Sequence, residues 1–293
     1  MKQKPRHFRT VNTRRVRGII KKRIDRNDGV SLNKMAKSLG VARSSVQLIV
    51  KKELGLRSYR LFKGQKLTDF AKAKRLEKCK ELLKIFEVRR IEDVLWTDEK
   101  IFPIEVAHNS QNDRQLISPS QRYSSERRIV TKSLFPRGVM VWGGITSKSK
   151  TPLVFIDQNV RIDAKFYQDE ILRKVLVPWK QKNPNMILQQ DWAPAHGAET
   201  TIAYLEENFP GFLNKNQWPS RSPDLNPIDF SVWGLLEEKL KNKNITKVEQ
   251  LRRELEQAWS EIGEDYLRRT VVSVKTRLKA CIKAKGGHFE NFL

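Results

Sequence analysis

The stretch DVLWTDEKIFPIE, residues 93–105, has the composition of two apolar strands around a polar tip of Asp98, Glu99 and Lys100. Its β-branched and aromatic residues favour extended structure on both sides of the tip, which predicts a hairpin. Further strands are predicted at 138–146, 152–156 and 186–190, and helices at 163–177 and 196–209. Several strands followed by alternating strand and helix indicate a mixed α/β domain.

Two acidic residues lie at predicted strand ends. Asp98 is in the tip of the predicted hairpin, and Asp191 follows the short run MILQQ (186–190). Side chains at strand ends face open crevices, and ligand sites in such sheets gather there. Because the chain contains 33 Asp and Glu residues, some lie at strand ends by chance. Neither residue alone therefore indicates a function.

A third acidic candidate lies in QWPSRSPDLNPIDFSVW, residues 217–233. Asn226 is a good helix cap, Pro227 suits the first helical position, and Asp229 then favours the helix dipole. This local role explains Asp229 without any chemistry. Asp224 is explained as a turn residue, since Ser-Pro-Asp-Leu-Asn is common in turns.

The charge of the chain is concentrated near its amino terminus. The net charge is +25, and residues 1–90 hold 28 Lys and Arg against 7 Asp and Glu. Such an excess favours a polyanionic partner, most often nucleic acid. It contributes to affinity and salt dependence rather than to sequence recognition.

The basic region has the pattern of a helix-turn-helix. Apolar residues at helical spacing predict helices at 12–26 and 31–39 and another after the glycine turn at Gly40. The alternative is a small helical domain with a solvated basic face. For DNA binding, the third helix supplies the candidate contacts, which are Arg43, Ser44, Ser45 and Gln47 for bases or phosphates, and Lys51 and Lys52 for phosphates.

Several classes of protein are disfavoured by the sequence. Cys79 and Cys281 are far apart and form no CxxC pair, which favours structural thiols in a reducing compartment. No apolar run approaches the length of a membrane span, so we expect a soluble protein without a membrane partner. Glycine-rich phosphate loops, nucleophile elbows and His/Cys clusters are missing as well. A DNA-binding module joined to three candidate carboxylates instead suggests phosphoryl transfer with two Mg²⁺ or Mn²⁺ ions.

Three blocks of sequence resemble the catalytic blocks of mariner-like DNA transposases: WTDEK (96–100), QQDWAPAH (189–196) and WPSRSPDLNPID (218–229). VMVWGGI (139–145) resembles the strand between the first two blocks. The resemblance implies a ribonuclease H-like α/β catalytic domain over 91–293, after a helix-turn-helix domain over 1–60 and a basic linker and helix over 61–90. It also implies that Asp98, Asp191 and Asp229 form the metal-binding triad. The 37 residues between the second and third acids resemble the maT branch, whose third acid is also aspartate.

The activity implied by this resemblance is cut-and-paste transposition. The family cleaves double-stranded DNA at terminal inverted repeats and joins the freed 3′-hydroxyl to a TA target site, with two Mg²⁺ or Mn²⁺ ions per active site. These are in-line displacements at phosphorus that need no covalent protein intermediate. The resemblance therefore predicts an endonuclease and strand transferase that works in the nucleus, with a homodimer as the candidate assembly.

Two features depart from the family pattern. Relatives usually carry two helix-turn-helix units, whereas this sequence shows one, which resembles the second. Trp192 follows the second aspartate, where relatives usually have a small or polar residue, and its indole is expected to crowd the site or to stack on an unpaired base. These departures leave two alternatives open: a decayed or host-adopted DNA-binding protein, and a non-transposase nuclease on the same fold.

Overall fold

The computed structural model describes residues 11–26, 29–57, 66–104, 137–157, 160–220, 222–241 and 243–293. The chain divides into two compact units, Met1–Gln65 and Lys66–Leu293. Residues 58–65, in the predicted linker, lie outside the described part, and the helix that follows belongs to the second unit. None of the helices in the described ranges is long and apolar enough to cross a membrane.

The described part of the first unit contains three helices: α1 (Arg14–Arg26), α2 (Leu32–Leu39) and α3 (Arg43–Leu48), the last continuing as a π-helical turn, Ile49–Glu53. The Oγ of Ser31 accepts a hydrogen bond from the backbone N–H of Lys34 and caps α2. Gly40 ends α2 with a φ of 64°, which glycine adopts without strain. The predicted helices and the glycine turn between the second and third are thus confirmed. Their common core consists of Ile20, Met35, Ala36, Val46 and Ile49.

The second unit is built on a mixed sheet. Its strands are β1 (Val94–Pro103), β2 (Gly138–Ile145), β3 (Val154–Asp157) and β4 (Ile187–Gln189). Their order is β3-β2-β1-β4, with β1–β2 and β2–β3 antiparallel and β1–β4 parallel. The mixed α/β architecture expected from the sequence is therefore present.

The predicted hairpin at 93–105 is wrong, because residues 94–103 form one continuous strand. Asp98 lies in the middle of β1, paired with Gly143 of β2. The polar residues at 98–100 include no glycine, proline or asparagine to support a tight turn, and they continue the extended backbone. The antiparallel partner of β1 is instead β2, which lies beyond residues 105–136 in the sequence.

Helices cover both faces of the sheet. After α4 (Asp69–Val88) and β3 come α5 (Ala164–Phe166), a π-helical segment (Tyr167–Leu176), α6 (Val177–Lys182) and α7 (Glu199–Asn208). A second π-helical segment (Ile228–Val232) leads into α8 (Trp233–Leu240), α9 (Val248–Ser260) and α10 (Glu264–Lys283). Alternate residues of β1 belong to different cores: Trp96 packs with α4, α8 and α10, whereas Leu95 packs with Tyr167 and Leu172.

The two cysteines meet in the core although 202 residues separate them. Cys79 of α4 and Cys281 of α10 are buried and free, with their Sγ atoms 3.4 Å apart. At Gly286, just beyond α10, a Cβ would lie 2.0 Å from the carbonyl oxygen of Lys72, so the backbone approach there requires glycine. The two thiols therefore act as packing groups between α4 and α10.

Candidate active site

Pairing between β1 and β4 brings two of the candidate acids to one edge of the sheet, where β4 ends and β1 continues. The parallel register ends with Trp96 opposite Gln189. Asp98 and Asp191 each lie two residues further along their chains. Since neighbouring strands are about 4.8 Å apart, the two backbones reach the same level of the sheet side by side.

The third acid reaches the same edge through Asn226. The side-chain Oδ1 of Asn226 accepts a hydrogen bond from the N–H of Ile228 at 3.2 Å, which confirms the predicted cap. Its Nδ2 donates to the carbonyl oxygen of Thr97 at 3.0 Å, one residue before Asp98. Asn226 thus fastens the start of this helix to β1, and Asp229 follows three residues later. The sequence predicted the capping role but not this contact with β1.

Asp98 and Asp229 interact directly. Burial, and then the negative charge of Asp229, raise the pKa of Asp98 to about 9. The pKa of Asp229 is also raised, to about 6, mainly by burial. The indole Nε1 of Trp233 donates to Asp98 Oδ2 at 2.6 Å and opposes the shift of Asp98. The two carboxyl groups therefore lie close enough that ionisation of one disfavours ionisation of the other.

Asp191 contacts His196 rather than the other two acids. The Nδ1 of His196 is 2.7 Å from Asp191 Oδ1, and its Nε2 is 3.3 Å from Glu99 Oε1. Burial acts to lower the pKa of His196, but its hydrogen bonds with Asp191 and Glu99 raise that pKa to about 10. The same hydrogen bond lowers the pKa of Asp191, against the effect of burial. The ring of Tyr167 packs on that of His196, with centroids 4.1 Å apart.

One group of side chains in the described part of the chain has the arrangement of metal ligands. Single ligand atoms of Glu99, Asp191 and His196 all lie within 4.8 Å of one another. Adjacent residues of a strand face opposite sides, so Glu99 points away from the side where Asp98 meets Trp233. Glu99 was not predicted as a site residue, because its contact with His196 depends on a turn that lies 97 residues later in the chain. The carboxylates at this edge are the hard oxygen donors that Mg²⁺ and Mn²⁺ prefer.

Asp224 lies outside this site. Its carboxylate forms a buried ion pair with Arg75 of α4. Its carbonyl oxygen accepts from Nη1 of Arg277 of α10 at 2.9 Å, and that guanidinium lies 3.6 Å from the ring centroid of Phe230. The short 3₁₀ turn Pro223–Leu225 agrees with the predicted turn chemistry. The ion pair, however, anchors the turn before Asp229 to two helices.

Trp192 is half-buried and packs against the large core that includes Trp96 and Trp233. Its Nε1 is buried and makes no hydrogen bond to the residues that the structure describes. The indole therefore packs partly against the protein core beside Asp191.

The candidate DNA contacts occupy α3 and the π-helical turn that follows. Arg43 and Ser44 are exposed, as are Lys51 and Lys52, whereas Ser45 and Gln47 are half-buried. The Nη1 of Arg43 lies 3.4 Å from Oε1 of Gln47, one helical turn away. The inner face of α3 is covered by the core of the unit, and its outer face carries the exposed Arg43 and Ser44.

We expect the metal-free protein to lose stability as the pH rises, and an Asp98→Asn variant to lose less. Because the pKa of Asp98 is raised from 3.8 to about 9 on folding, the folded state holds a proton that the unfolded chain releases. Stability therefore falls between about pH 4 and pH 9, by up to about 1.4 kcal/mol per pH unit for one group. Urea unfolding in EDTA across this range measures the slope, with Asp69→Asn at an exposed site as control. Equal slopes for Asp98→Asn and the parent chain would contradict the interpretation.

Comparisons with known proteins identify relatives of this chain. No family model matches the chain. It is 32% identical to the transposable element Tcb1 transposase of Caenorhabditis briggsae over 194 residues, which cover 66% of this chain and 68% of the relative. It is 29% identical to the Tc1 transposase of Caenorhabditis elegans over the same shares of the two chains.

Solved structures with the same fold are also found. A Mos1 transposase paired-end complex with the left transposon end matches with a TM-score of 0.76 and 17% identity, covering 99% of this chain and 82% of that one. The catalytic domain of Mos1 mariner transposase matches with a TM-score of 0.60 and 18% identity, covering 78% of this chain and all of that one. The predicted ribonuclease H-like domain preceded by a helix-turn-helix is thereby confirmed as the fold.

Proposed function

Because the chain belongs to the Tc1/mariner family of transposases, we propose that it cleaves DNA at terminal inverted repeats and joins the freed ends to TA target sites. The observation that carries this proposal is the meeting of Asp98 and Asp229 at the sheet edge that also bears Asp191. We propose these three aspartates as the catalytic triad, in which Asp229 is the third member.

The residues at this edge fit a divalent cation. Burial, and then neighbouring carboxylates, raise the pKa values of Asp98 and Asp229, and a bound cation would favour their ionised forms. We propose that the three aspartates hold two Mg²⁺ or Mn²⁺ ions, while His196, which also contacts Glu99, contacts Asp191 from the other face of the sheet. Bound ions would activate water or a 3′-hydroxyl and stabilise the leaving oxygen. Relatives of this fold have been solved with Mn and with Mg, in the Mos1 paired-end complexes.

Other side chains of the site hold the acids in place. The indole of Trp233 fixes one oxygen of Asp98, and Asn226 ties the backbone before Asp229 to β1. His196 orients Asp191 from the opposite face of the sheet. On this proposal the pair Asp98 and Asp229 releases its shared proton when a cation binds, so binding strengthens with rising pH.

Double-stranded DNA is the proposed partner, as transposon ends are in the solved Mos1 complex. A homodimer would bring two ends together, in line with the paired-end complexes of that relative. We also propose a nuclear location, since the substrate is chromosomal DNA.

The deciding experiment incubates the purified chain with labelled terminal-repeat duplex, with and without Mg²⁺ or Mn²⁺. Metal-dependent cleavage is expected. Salt-sensitive binding without cleavage under any of these conditions would instead identify a decayed or host-adopted DNA-binding protein.

The helix-turn-helix makes a separate prediction about DNA affinity. Replacing Lys51 and Lys52 by glutamine in the full chain should weaken binding to all duplex sequences alike, because both exposed ammonium groups are proposed to contact phosphates. The slope of log affinity against log salt should fall by about 1.8, at about 0.9 per contact. Fluorescence anisotropy over a salt series measures this slope. Lys34→Gln with Lys37→Gln, on exposed positions of α2, is the matched control, and equal slopes for both pairs would contradict the assignment.

A further inference from the structure

The helix α10 carries a charge pattern unlike the rest of the second unit. Residues 91–293 hold 30 Lys and Arg against 26 Asp and Glu, which is nearly balanced. Within them, residues 266–289 hold seven Lys and Arg and no acidic residue. The basic excess of residues 91–293 is therefore concentrated on one helix and the short segment after it.

The geometry of α10 separates a buried face from a basic one. Successive helical residues turn by about 100°, so positions three and four apart share a face. The buried face comprises Leu267, Thr270, Val271, Val274, Leu278 and Cys281. Outside this face lies what we call the basic stripe: Arg268, Arg269, Lys275, Lys279 and Lys283, all exposed except Lys275, which is half-buried. Thr276 and Val272, the latter 43% exposed, lie between these charges.

Arg277 stands apart from the stripe. Its guanidinium is only 16% exposed and binds Asp224 and Glu290 while it packs on Phe230. This arginine has a structural role that accounts for its charge. The stripe lysines have no comparable explanation.

Among the described residues the lysines of the stripe, unlike Arg268 with its ion pair to Asp265, have no ion pair that stabilises the helix. Lys275, Lys279 and Lys283 follow one another at four-residue spacing, where like charges repel. None of the carboxylates in the described ranges lies within 4.0 Å of their ammonium groups. The helical segment at 164–182 shows the usual alternative, since Arg173 and Lys174 pair with Asp169 and Glu170 one turn earlier. Only Lys283, in the last turn, gains from the helix dipole.

We propose that the basic stripe of α10 is a second DNA-binding surface, which contacts the phosphate backbone of duplex DNA independently of the helix-turn-helix. From Arg268 to Lys283 the helix rises about 22 Å, at about 1.5 Å per residue. This length corresponds to about six base pairs at about 3.4 Å each. The half-buried Lys275 and the exposed Lys279 and Lys283 lie one turn apart, a spacing suited to point contacts with phosphates along the backbone. The inference rests on the proposed function, because that function makes duplex DNA the substrate.

The test compares two triple variants of the full chain. Lys275, Lys279 and Lys283 are replaced by glutamine in one, and the exposed Lys165, Lys174 and Lys182 in the other. Binding to a terminal-repeat duplex and to a random-sequence duplex is then measured by fluorescence anisotropy over a salt series. For the stripe variant the slope of log affinity against log salt should fall by about 2.7 on both duplexes, at about 0.9 per phosphate contact. For the control variant it should stay close to that of the parent chain.

The outcomes separate this inference from the proposed function. If the parent chain binds neither duplex at low salt, the proposed function itself fails. If the parent chain binds and both triple variants keep its slope, only the stripe is refuted. In another outcome, the stripe variant keeps the parental slope but changes its oligomeric state, which sedimentation would detect. This result would identify the stripe as a protein interface and would overturn the proposal. Circular dichroism confirms that α10 remains folded in both variants.

Discussion

Replacing Asp229 with asparagine is expected to lower the rate of terminal-repeat cleavage by at least about a thousandfold, equal to about 4 kcal/mol of transition-state stabilisation. The amide keeps the shape of the side chain but removes the charge that we propose binds a metal ion beside Asp98. Its place in the first turn of the helix tolerates asparagine, so the fold should be retained. DNA binding should be unchanged, because the residue belongs neither to the helix-turn-helix nor to the basic stripe of α10.

Cleavage is measured with a labelled duplex under single-turnover conditions in Mg²⁺ and in Mn²⁺. The matched control is Asp69→Asn, the same substitution at a carboxylate that is 99% exposed and pairs with Lys72. Cleavage by Asp229→Asn at the parental rate would remove this residue from the proposed triad. A loss of DNA binding in parallel would show instead that the variant is misfolded.

The second large effect concerns stability. Replacing Arg75 with methionine should lower the free energy of unfolding by about 3–5 kcal/mol, because it leaves the buried carboxylate of Asp224 without a partner. The side chains of this pair are only 4% and 10% exposed, and Arg75 also lies 5.6 Å from the ring of Phe289. One oxygen of Asp224 and the Nε of Arg75 already lack hydrogen-bond partners among the described residues. Loss of the Arg75 guanidinium would therefore leave both oxygens of the carboxylate unpaired among these residues.

Chemical denaturation of the parent chain and the variant measures this effect. Arg268→Met is the matched control, since its ion pair with Asp265 has side chains 63% and 83% exposed and should contribute less than about 1 kcal/mol. The double variant Arg75→Met with Asp224→Leu should recover much of the loss, because no charge then stays buried. A loss below about 1 kcal/mol for Arg75→Met would contradict the argument. The single variant should also slow cleavage, since Asp224 anchors the turn before Asp229.

The helix boundaries could be predicted from the sequence, because capping residues and turn glycines act on their immediate neighbours in the chain. Ser31, Gly40 and Asn226 act within three or four residues of themselves, so the helix boundaries they mark were predicted where the structure has them. The strand that carries Asp98 was wrongly predicted as a hairpin, because three charged residues (98–100) within an apolar run resemble the turn of a hairpin. Only its pairing with Gly143 of β2 shows that the backbone continues straight.

The sequence by itself determined the helix-turn-helix pattern, the mixed α/β class and the resemblance that pointed to Asp98, Asp191 and Asp229. The tertiary structure decided which side chains meet. It placed His196 between Glu99 and Asp191 and paired Asp224 with Arg75 across 149 residues. Periodicity and capping report interactions over a few residues, whereas these contacts depend on strand register and helix packing. Non-local contacts of this kind form only when the whole chain has folded, so no window of the sequence contains them.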